Sequence, residues 1–139
     1  AALREAGLPP GRVIDPGPEH PASASESAEG LALPLLDAPD RPTAIFTFND
    51  LDAVGVFRAT QRLGLRIPDD VSVISIDNRE NVAEELRPGL TTLALPHYEL
   101  GRRATDRLLD AIDGGTPIPT DVVKVPFTVV SRGSVGVRA

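Results

Sequence analysis

Two runs of apolar and β-branched residues flank one long segment of mixed character in the middle of the chain. Residues 43–48 read TAIFTF and residues 71–76 read VSVISI. No polar alternation interrupts the first run, which is typical of a strand covered on both faces. The segment between the runs has no Pro over residues 50–64 and is long enough for about four helical turns. This pattern predicts a right-handed βαβ unit with parallel strands.

The helix predicted over residues 50–64 has recognisable ends and two different sides. Asp50 is a suitable N-cap residue, and Gly64 is a suitable stop. The side at helical spacing that should face the sheet consists of Ala53, Val56, Phe57, Thr60 and Leu63. Another side carries Leu51 and Val54 beside Arg58 and Gln61. These two apolar residues are either partly exposed or in contact with a second subunit, and the pattern favours neither alternative.

The remaining elements alternate in the same way, so the predicted fold class is α/β, an open parallel sheet flanked by helices. The pattern predicts a helix end over residues 1–9 with Gly7 as its stop, a strand at 12–15, a loop at 16–25 and a helix at 22–36. Further along, it predicts a short helix at 78–87, an extended segment at 90–95, a helix at 97–113 and a strand at 121–130. Pro126 indicates that the last strand lies at an edge of the sheet or contains a bulge.

The spacing of apolar residues predicts one apolar face on each of two of these helices. In the helix at 22–36, Ala28, Leu31 and Leu35 form the predicted apolar face. The helix at 97–113 is amphipathic, with one face made of Tyr98, Leu100, Ala104, Leu108, Ala111 and Ile112, and it is expected to end at Gly114 and Gly115.

Composition limits the classes of protein to which the chain can belong. A length of 139 residues suits one domain-sized unit, and a net charge of −6 argues against binding of nucleic acid by this segment. There is no cysteine, no run long enough to span a bilayer and no secretory leader, so we expect a cytoplasmic protein without membrane partners. The first helix lacks a cap, which suggests a fragment of a longer protein.

Polar residues follow both strands of the βαβ unit, on the edge of the sheet where open α/β folds bind ligands. Phe48, Asn49 and Asp50 come after the first strand, and Asp77 comes after the second. If Asp50 caps the helix, the amide of Asn49 is left to face a ligand, although Asn49 is itself a good cap. Asp77 is either a ligand contact or a turn residue that accepts backbone hydrogen bonds. The cluster suits a ligand with several hydrogen-bonding groups.

Catalytic, metal and cofactor sites find little support in the sequence. There is no GxSxG motif, no cysteine and no Gly-rich phosphate loop, and metal-ligand spacings are missing. His20 lies in a Pro-rich loop and His97 at a helix start, where surface or capping roles are the simpler explanations. We therefore expect no enzymatic activity and no cofactor.

Three stretches resemble one family. Residues 41–78, RPTAIFTFNDLDAVGVFRATQRLGLRIPDDVSVISIDN, are similar to the effector-binding domain of LacI/GalR-type bacterial transcriptional regulators. Residues 87–114 and the segment VPFTVVSRGS add to the resemblance in the family's order. It implies a periplasmic-binding-protein-like fold of two lobes. Residues 1–92 and 120–139 would be the C-terminal lobe and residues 93–119 a crossover segment belonging to the other lobe, with the N-terminal lobe and the helix-turn-helix head absent.

The resemblance also implies roles for individual residues. Asn49 and Asp77 match family positions that reach the effector, beside Phe48, and Ser25 lies near a position that is often aromatic in the family. Leu95 stands where a Gln is frequent. The positions implied in homodimerisation are Leu51, Val54, Arg58, Val82 and Leu86.

The resemblance further implies the partners of the protein. They would be a small effector, a sugar or related polyol, together with a second copy of the chain, and DNA only through the absent head. The partner surface of the helix at 97–113 would be missing, so we expect this helix to pack atypically, on another copy for example, or to be more mobile than the sheet. The alternative function is a solute-binding protein of a sugar transporter, which shares the fold.

Overall fold

The computed structural model describes residues 2–15, 24–115, 117 and 120–137. In chain order the elements are α1 (Ala2–Glu5), α2 (Ala24–Asp37), β1 (Ala44–Phe46), α3 (Asp50–Arg62), β2 (Ser72–Ile76), α4 (Glu80–Ala83), β3 (Thr91–Ala94), α5 (His97–Gly114) and β4 (Thr128–Val130). None of the helices within these ranges is long and apolar enough to cross a membrane.

In the described part of the chain, four strands form one sheet in the order β1-β2-β3-β4. The strands β1, β2 and β3 are parallel, and β4 runs antiparallel to β3. The predicted βαβ unit is therefore confirmed in β1, α3 and β2. The strand predicted at residues 121–130 is formed only at Thr128–Val130. It is the last strand of the described sheet, but Pro126 lies before it, so this proline neither places the strand at the edge nor forms a bulge in it.

The core lies between the sheet and α3, with α2 packed on α3. The fully or nearly buried apolar residues are Ala32, Leu36, Ala53, Val56, Ala59, Val71, Val73, Ala83 and Leu90. Several of them are alanines, which permit a close approach of the two helices. The two helices approach closely at Gly55 on α3, where a Cβ atom would lie 2.3 Å from the carbonyl oxygen of Ser25 and 2.6 Å from the backbone nitrogen of Glu29. The packing of α2 on α3 therefore requires glycine at this position.

The first strand is covered on one face only, so the prediction of a strand buried on both faces is wrong for β1. Ile45 packs against the core, whereas Phe46 is 58% exposed on the other face of the sheet. Across the sheet, Val129 on β4 is also exposed. The register pairs Phe46 with Ile74, and Leu93 with Val129, so these four residues share the face of the sheet opposite α3.

Helix α2 buries a different face from the predicted one. The buried residues of α2 are Ser27, Ala32 and Leu36, while Ala28, Leu31 and Leu35 are only partly buried. The buried face is thus rotated by about one residue, or roughly 100° around the helix axis. The two faces overlap, because the small side chain of Ala28 lies at the close contact with Gly55 of α3.

Two local predictions near the N-terminus have different outcomes. Helix α1 ends as expected, with Gly7 at φ +71°. The strand predicted at residues 12–15 is not formed: these residues lie outside the sheet, Val13 is exposed, and the guanidinium of Arg12 pairs with Asp40. The loop predicted at 16–25 lies largely outside the described residues, as does His20, and its last two residues already belong to α2.

Helices α4 and α5 lie within or close to their predicted ranges. Gly115, at φ +59°, caps the C-terminus of α5. The apolar face predicted for α5 is mostly exposed: Tyr98, Leu100, Ala104, Leu108 and Ile112 are open to solvent, and Ala111 is buried. The greater mobility proposed for this helix stays a prediction.

Candidate ligand-binding site

The polar residues that follow β1 and β2 lie at one edge of the sheet. These two strands are parallel neighbours, with Ile45 paired to Val73 and Phe46 to Ile74. Their carboxyl ends therefore point the same way. Asn49 follows the end of β1 by three residues, and Asp77 follows the end of β2 directly. The shared edge predicted from the sequence is thus present in the fold.

Asn49, and not Asp50, is the N-cap of α3, which corrects the prediction. Its side-chain oxygen Oδ1 accepts hydrogen bonds from the backbone nitrogen of Leu51 at 2.9 Å and of Asp52 at 3.0 Å. Its backbone is extended, as is usual at an N-cap. An amide oxygen has two acceptor positions, so the helix occupies both. The amide nitrogen Nδ2 is the part of the side chain that keeps donor capacity toward a ligand.

Asp50 is fully buried, and its carboxylate connects α3 to β3 and to the backbone of Arg79. Its Oδ1 accepts a hydrogen bond from the hydroxyl of Thr92 on β3 at 2.8 Å, and its Oδ2 accepts one from the backbone N–H of Arg79 at 2.7 Å. A buried carboxylate is tolerated only when its acceptor positions are satisfied in this way. The sequence carried no signal for this role, because Thr92 is far from Asp50 in the chain.

Asp77 begins a tight turn whose backbone is unusual. It has φ +117°, and the next residue, Asn78, has φ +55°. Non-glycine residues with positive φ are uncommon and often lie at functional sites. The backbone N–H of Asp77 donates to the carbonyl of Leu93 at 3.0 Å, and the backbone N–H of Asn78 donates to the hydroxyl of Thr92 at 3.3 Å. These bonds to β3 hold the turn against its strain.

The carboxylate of Asp77 remains accessible at the edge. Its side chain is 22% exposed and forms an ion pair with Nε of Arg79 at 3.5 Å. A second carboxylate, Asp52, lies close enough for the charge of Asp77 to act on it. Burial is the largest cause that raises the pKa of Asp52; a backbone hydrogen bond from Asn49 lowers this pKa, and the negative charge of Asp77 raises it further. The edge therefore concentrates negative charge and acceptor oxygens, which suit ligands that donate hydrogen bonds.

Phe48 and Ser25 occupy different environments. Phe48 is 83% exposed next to Asn49, so its ring is available at the edge. Ser25 lies in the first turn of α2, where its hydroxyl accepts a hydrogen bond from Nη1 of Arg58 at 3.5 Å. The Arg58 contact lies about two and a half turns along α3 from Asn49. A ligand contact by Ser25 stays a prediction, as does one by Phe48.

The residues predicted for homodimerisation lie on the surface of two neighbouring elements. Leu51 and Val54 are partly exposed and Arg58 is exposed, all on α3. Val82 on α4 and Leu86 just after it are partly exposed, and Leu86 also packs against the core. Since α3 and α4 contact each other, these side chains belong to adjacent surfaces. Their role between subunits stays a prediction.

Sequence reasoning missed Arg132, which follows β4. Its side chain donates to the side-chain oxygen of Asn78, next to Asp77, at 2.9 Å. No signal in the local pattern indicated that a residue near the C-terminus reaches this edge. Among the described residues no group of three or more His, Cys, Asp and Glu is arranged to hold a metal ion.

Comparison with known sequences connects this architecture to characterised proteins. The sequence model of the family described as periplasmic binding protein-like domain matches residues 1–135. The NTD biosynthesis operon regulator NtdR of Bacillus subtilis strain 168 is 34% identical over 100 residues, which are 72% of this chain and 30% of that regulator. The HTH-type transcriptional repressor CytR of Escherichia coli strain K12 is 44% identical over 80 residues, which are 58% of this chain and 23% of that repressor.

Solved structures share the fold at similar levels of identity. The complex of the transcriptional regulator CelR with cellobiose has a TM-score of 0.75 and 30% identity, covering 96% of this chain and 39% of that chain. A LacI family transcriptional regulator from Arthrobacter sp. FB24 in complex with lactose has a TM-score of 0.69 and 32% identity, covering 81% and 41%. The dimeric lac repressor with an 11-residue C-terminal deletion has a TM-score of 0.69 and 30% identity, covering 80% and 40%.

These matches cover only part of each related protein. The chain spans less than a third of the two curated relatives and about two fifths of the three solved chains. The relatives are named as transcriptional regulators, and the structural neighbours carry the same α/β architecture as the sheet and helices described above.

Proposed function

This chain belongs to the periplasmic binding protein-like domain family, among the LacI/GalR-type transcriptional regulators, and we propose that it is the lobe with which such a regulator binds a small sugar-like effector and forms a homodimer. One observation carries the proposal. Asn49 and Asp77 stand at the carboxyl ends of two adjacent parallel strands, which is where open α/β folds bind their ligands.

The chemistry of the edge favours a ligand with several hydroxyl groups. The carboxylate of Asp77 accepts hydrogen bonds, while Asn49 offers mainly the donor Nδ2 because the helix occupies its oxygen. A hydroxyl group both donates and accepts, so neighbouring hydroxyls of one sugar match this acceptor and donor pair. Sugars bound to related regulators, cellobiose and lactose among them, support the same class of ligand.

A two-lobed arrangement gives the proposed effector a mechanism. We expect the crossover at residues 93–119 to enter the second lobe only after Ala94, because Leu93 and Ala94 belong to β3 in the sheet of this lobe. The exposed apolar face of α5 supports its place in the second lobe. An effector between the lobes shifts the equilibrium between two lobe arrangements only by its difference in affinity for them. A coupling of about 1–3 kcal/mol per site is typical of such regulation. The regulator would transmit this shift to DNA through a separate head and the dimer.

The names of the relatives favour a regulator over the alternative, a solute-binding protein of a sugar transporter. NtdR and CytR are both named as regulators of expression. The N-terminal sequence of the complete gene product distinguishes the two functions. A helix-turn-helix segment is expected for the regulator, whereas a secretory leader would contradict it.

Calorimetric titration of the complete protein with lactose, cellobiose and other simple sugars tests effector binding. We expect at least one sugar to bind, and Asp77→Asn to weaken its binding by about 1–3 kcal/mol, because a charged hydrogen-bond acceptor is lost. Arg62→Lys, on the far end of α3, is the control and should leave the affinity unchanged. Equal affinity of the wild type and Asp77→Asn for every sugar that binds would exclude Asp77 as a contact.

A further inference from the structure

Arg132 lies just after β4, yet its side chain is mostly buried, with only 15% exposed. The guanidinium donates through Nη1 to the carbonyl of Leu90 at 2.9 Å and through Nη2 to the side-chain oxygen of Asn78, also at 2.9 Å. Nη2 also lies 3.3 Å from the carboxylate of Glu84. One side chain therefore contacts three residues between 78 and 90, which lie 42 to 54 positions before it in the sequence.

The bond to Asn78 is the most consequential of these contacts. Asn78 is the second residue of the turn that begins at Asp77, and both have positive φ. The direction of the Asp77 carboxylate depends on this pair of backbone conformations. Asp50 holds the far side of the turn through the backbone N–H of Arg79, and Arg132 holds the side chain at its centre.

The other two contacts fix the guanidinium itself. Leu90 immediately precedes β3, and its backbone N–H donates to the carbonyl of Ala83 in α4 at 2.8 Å. Glu84 is the residue that ends α4. In addition, the backbone N–H of Arg132 donates to the hydroxyl of Thr91 on β3 at 2.9 Å. Contacts with β3 and α4 thus fix the position of the Arg132 side chain. Its hydrogen bond to Asn78 in turn fixes the side chain of Asn78.

We propose that Arg132 is a positioning residue for effector binding, which holds the turn at Asp77 in the orientation that binds a sugar. This inference rests on the proposed function, since it assumes that Asp77 contacts the effector. It adds a residue that does not itself touch the ligand. An arginine suits this task because its planar fork donates in several fixed directions at once. Lysine keeps the charge but cannot bond Asn78 and Leu90 together in the same geometry.

A double-mutant cycle on the complete protein tests the inference. The four proteins are the wild type, Arg132→Lys, Asp77→Asn and the double variant, titrated with whichever of lactose and cellobiose binds the wild type more tightly. We expect Arg132→Lys to weaken binding about fivefold or more when Asp77 is present, and to have little effect in the Asp77→Asn background. A purely structural role for Arg132 would instead give the same loss in both backgrounds.

Each outcome of the cycle has one meaning. Equal losses in both backgrounds, or no loss in either, would overturn the role of Arg132 while leaving effector binding at Asp77 intact. An Asp77→Asn protein that binds as tightly as the wild type would overturn the proposed contact itself. Arg62→Lys is the matched control, because its guanidinium pairs with Glu29 on α2, away from the turn, and should not change the affinity.

A second variant keeps the test valid if Arg132→Lys does not fold. Asn78→Gly removes the acceptor of the Arg132 bond and suits the positive φ of this position. It should weaken sugar binding in the Asp77 background and not in the Asp77→Asn background. Additive losses in this cycle would overturn the inference in the same way.

Discussion

Asn49 caps α3, and the proposed ligand contact would use a different atom of the same side chain. Its oxygen caps α3 through Leu51 and Asp52, and this leaves the amide nitrogen as its remaining donor. Capping also orients the side chain, because two hydrogen bonds fix the amide plane. A ligand contact at this position is therefore pre-organised by the helix and requires no further ordering of the side chain.

Two replacements of Asn49 distinguish its capping oxygen from its amide donor. Asn49→Ala should lower the free energy of unfolding by about 1 kcal/mol, because two backbone N–H groups lose their acceptor. Asn49→Ser keeps a capping oxygen and should stay close to the wild type in stability while losing the amide donor. Urea unfolding measures the free energy of unfolding of both variants. Equal stability of Asn49→Ala and the wild type would contradict the capping role.

Among the elements, α2 and α3 make a close backbone contact at Gly55. Gly55 is required because the backbone of α2 lies where a side chain would be, whereas Gly30 on α2 has no atom within 4 Å of the position of a Cβ atom. A side chain at position 55 would therefore collide with α2, whereas a side chain at position 30 has free space.

Alanine at these two positions should have opposite effects on stability. Gly55→Ala should destabilise the protein by about 1–3 kcal/mol, since the helices must separate to admit a methyl group. Gly30→Ala is the matched control and should stabilise it by roughly 0.5–1 kcal/mol, because alanine is the better residue inside a helix. Thermal unfolding of the two variants and the wild type measures both changes in stability. A stabilising Gly55→Ala would show that α2 does not pack on α3 at this site.

Helix α5 depends on its own charged side chains. Hydrogen bonds from Arg102, and then from Arg103, lower the pKa of Glu99 to about 2. A carboxylate with a lowered pKa stabilises the folded state above its unfolded pKa, near 4.5, and loses this contribution as the pH falls toward about 2. Because these groups are exposed, salt should screen the effect.

The pH dependence of α5 is measurable by comparing the wild type with Glu99→Gln. At about pH 5 and above, we expect the wild type to be more helical by far-ultraviolet circular dichroism. The difference between the two proteins should shrink as the pH is lowered toward about 2, where Glu99 becomes protonated. It should also shrink in high salt at neutral pH. A difference that grows on acidification would contradict the sign of the pKa shift.

At the scale of the whole molecule, apolar surface is distributed unevenly. The face of the sheet opposite α3 exposes Phe46 and Val129, and α5 exposes Tyr98 at 85% together with its neighbours along one side. By contrast, the surface formed by α3 and α4 has partly buried Leu51, Val54 and Val82. This last surface is the one that the family resemblance assigns to homodimerisation.

A charge introduced on the α3 and α4 surface should separate the proposed dimer. Val54→Asp is expected to shift the protein from dimer to monomer in analytical ultracentrifugation, because a desolvated carboxylate would face the partner. Gly30→Asp, at an exposed position of α2 where no atom lies within 4 Å of the position of a Cβ atom, is the control and should remain dimeric. The unfolding curves of both variants should resemble the wild type. A Val54→Asp protein that stays dimeric would place the interface elsewhere.

Local pattern was sufficient for most of the elements and for the edge of the sheet. The alternation of apolar runs and helical segments predicted β1, α3 and β2 in order, whereas the strand predicted at residues 121–130 is formed only at Thr128–Val130. One failure is the strand predicted at residues 12–15, which is not formed, and two others concern burial. The predicted face of α2 was shifted by one residue, and β1 was expected to be covered on both sides. Both errors arose because periodicity indicates which residues are apolar and not which neighbour will cover them.

The sequence by itself determined the order of the elements, the parallel βαβ unit and the arrival of Asn49 and Asp77 at one edge, because these follow from hydrophobic period and chain direction. The tertiary structure alone decided that Asn49 caps α3, that Asp50 bonds Thr92 across 42 positions, and that Arg132 reaches Asn78 across 54. Such contacts depend on how distant segments pack together, and no local pattern of apolar and polar residues specifies that packing.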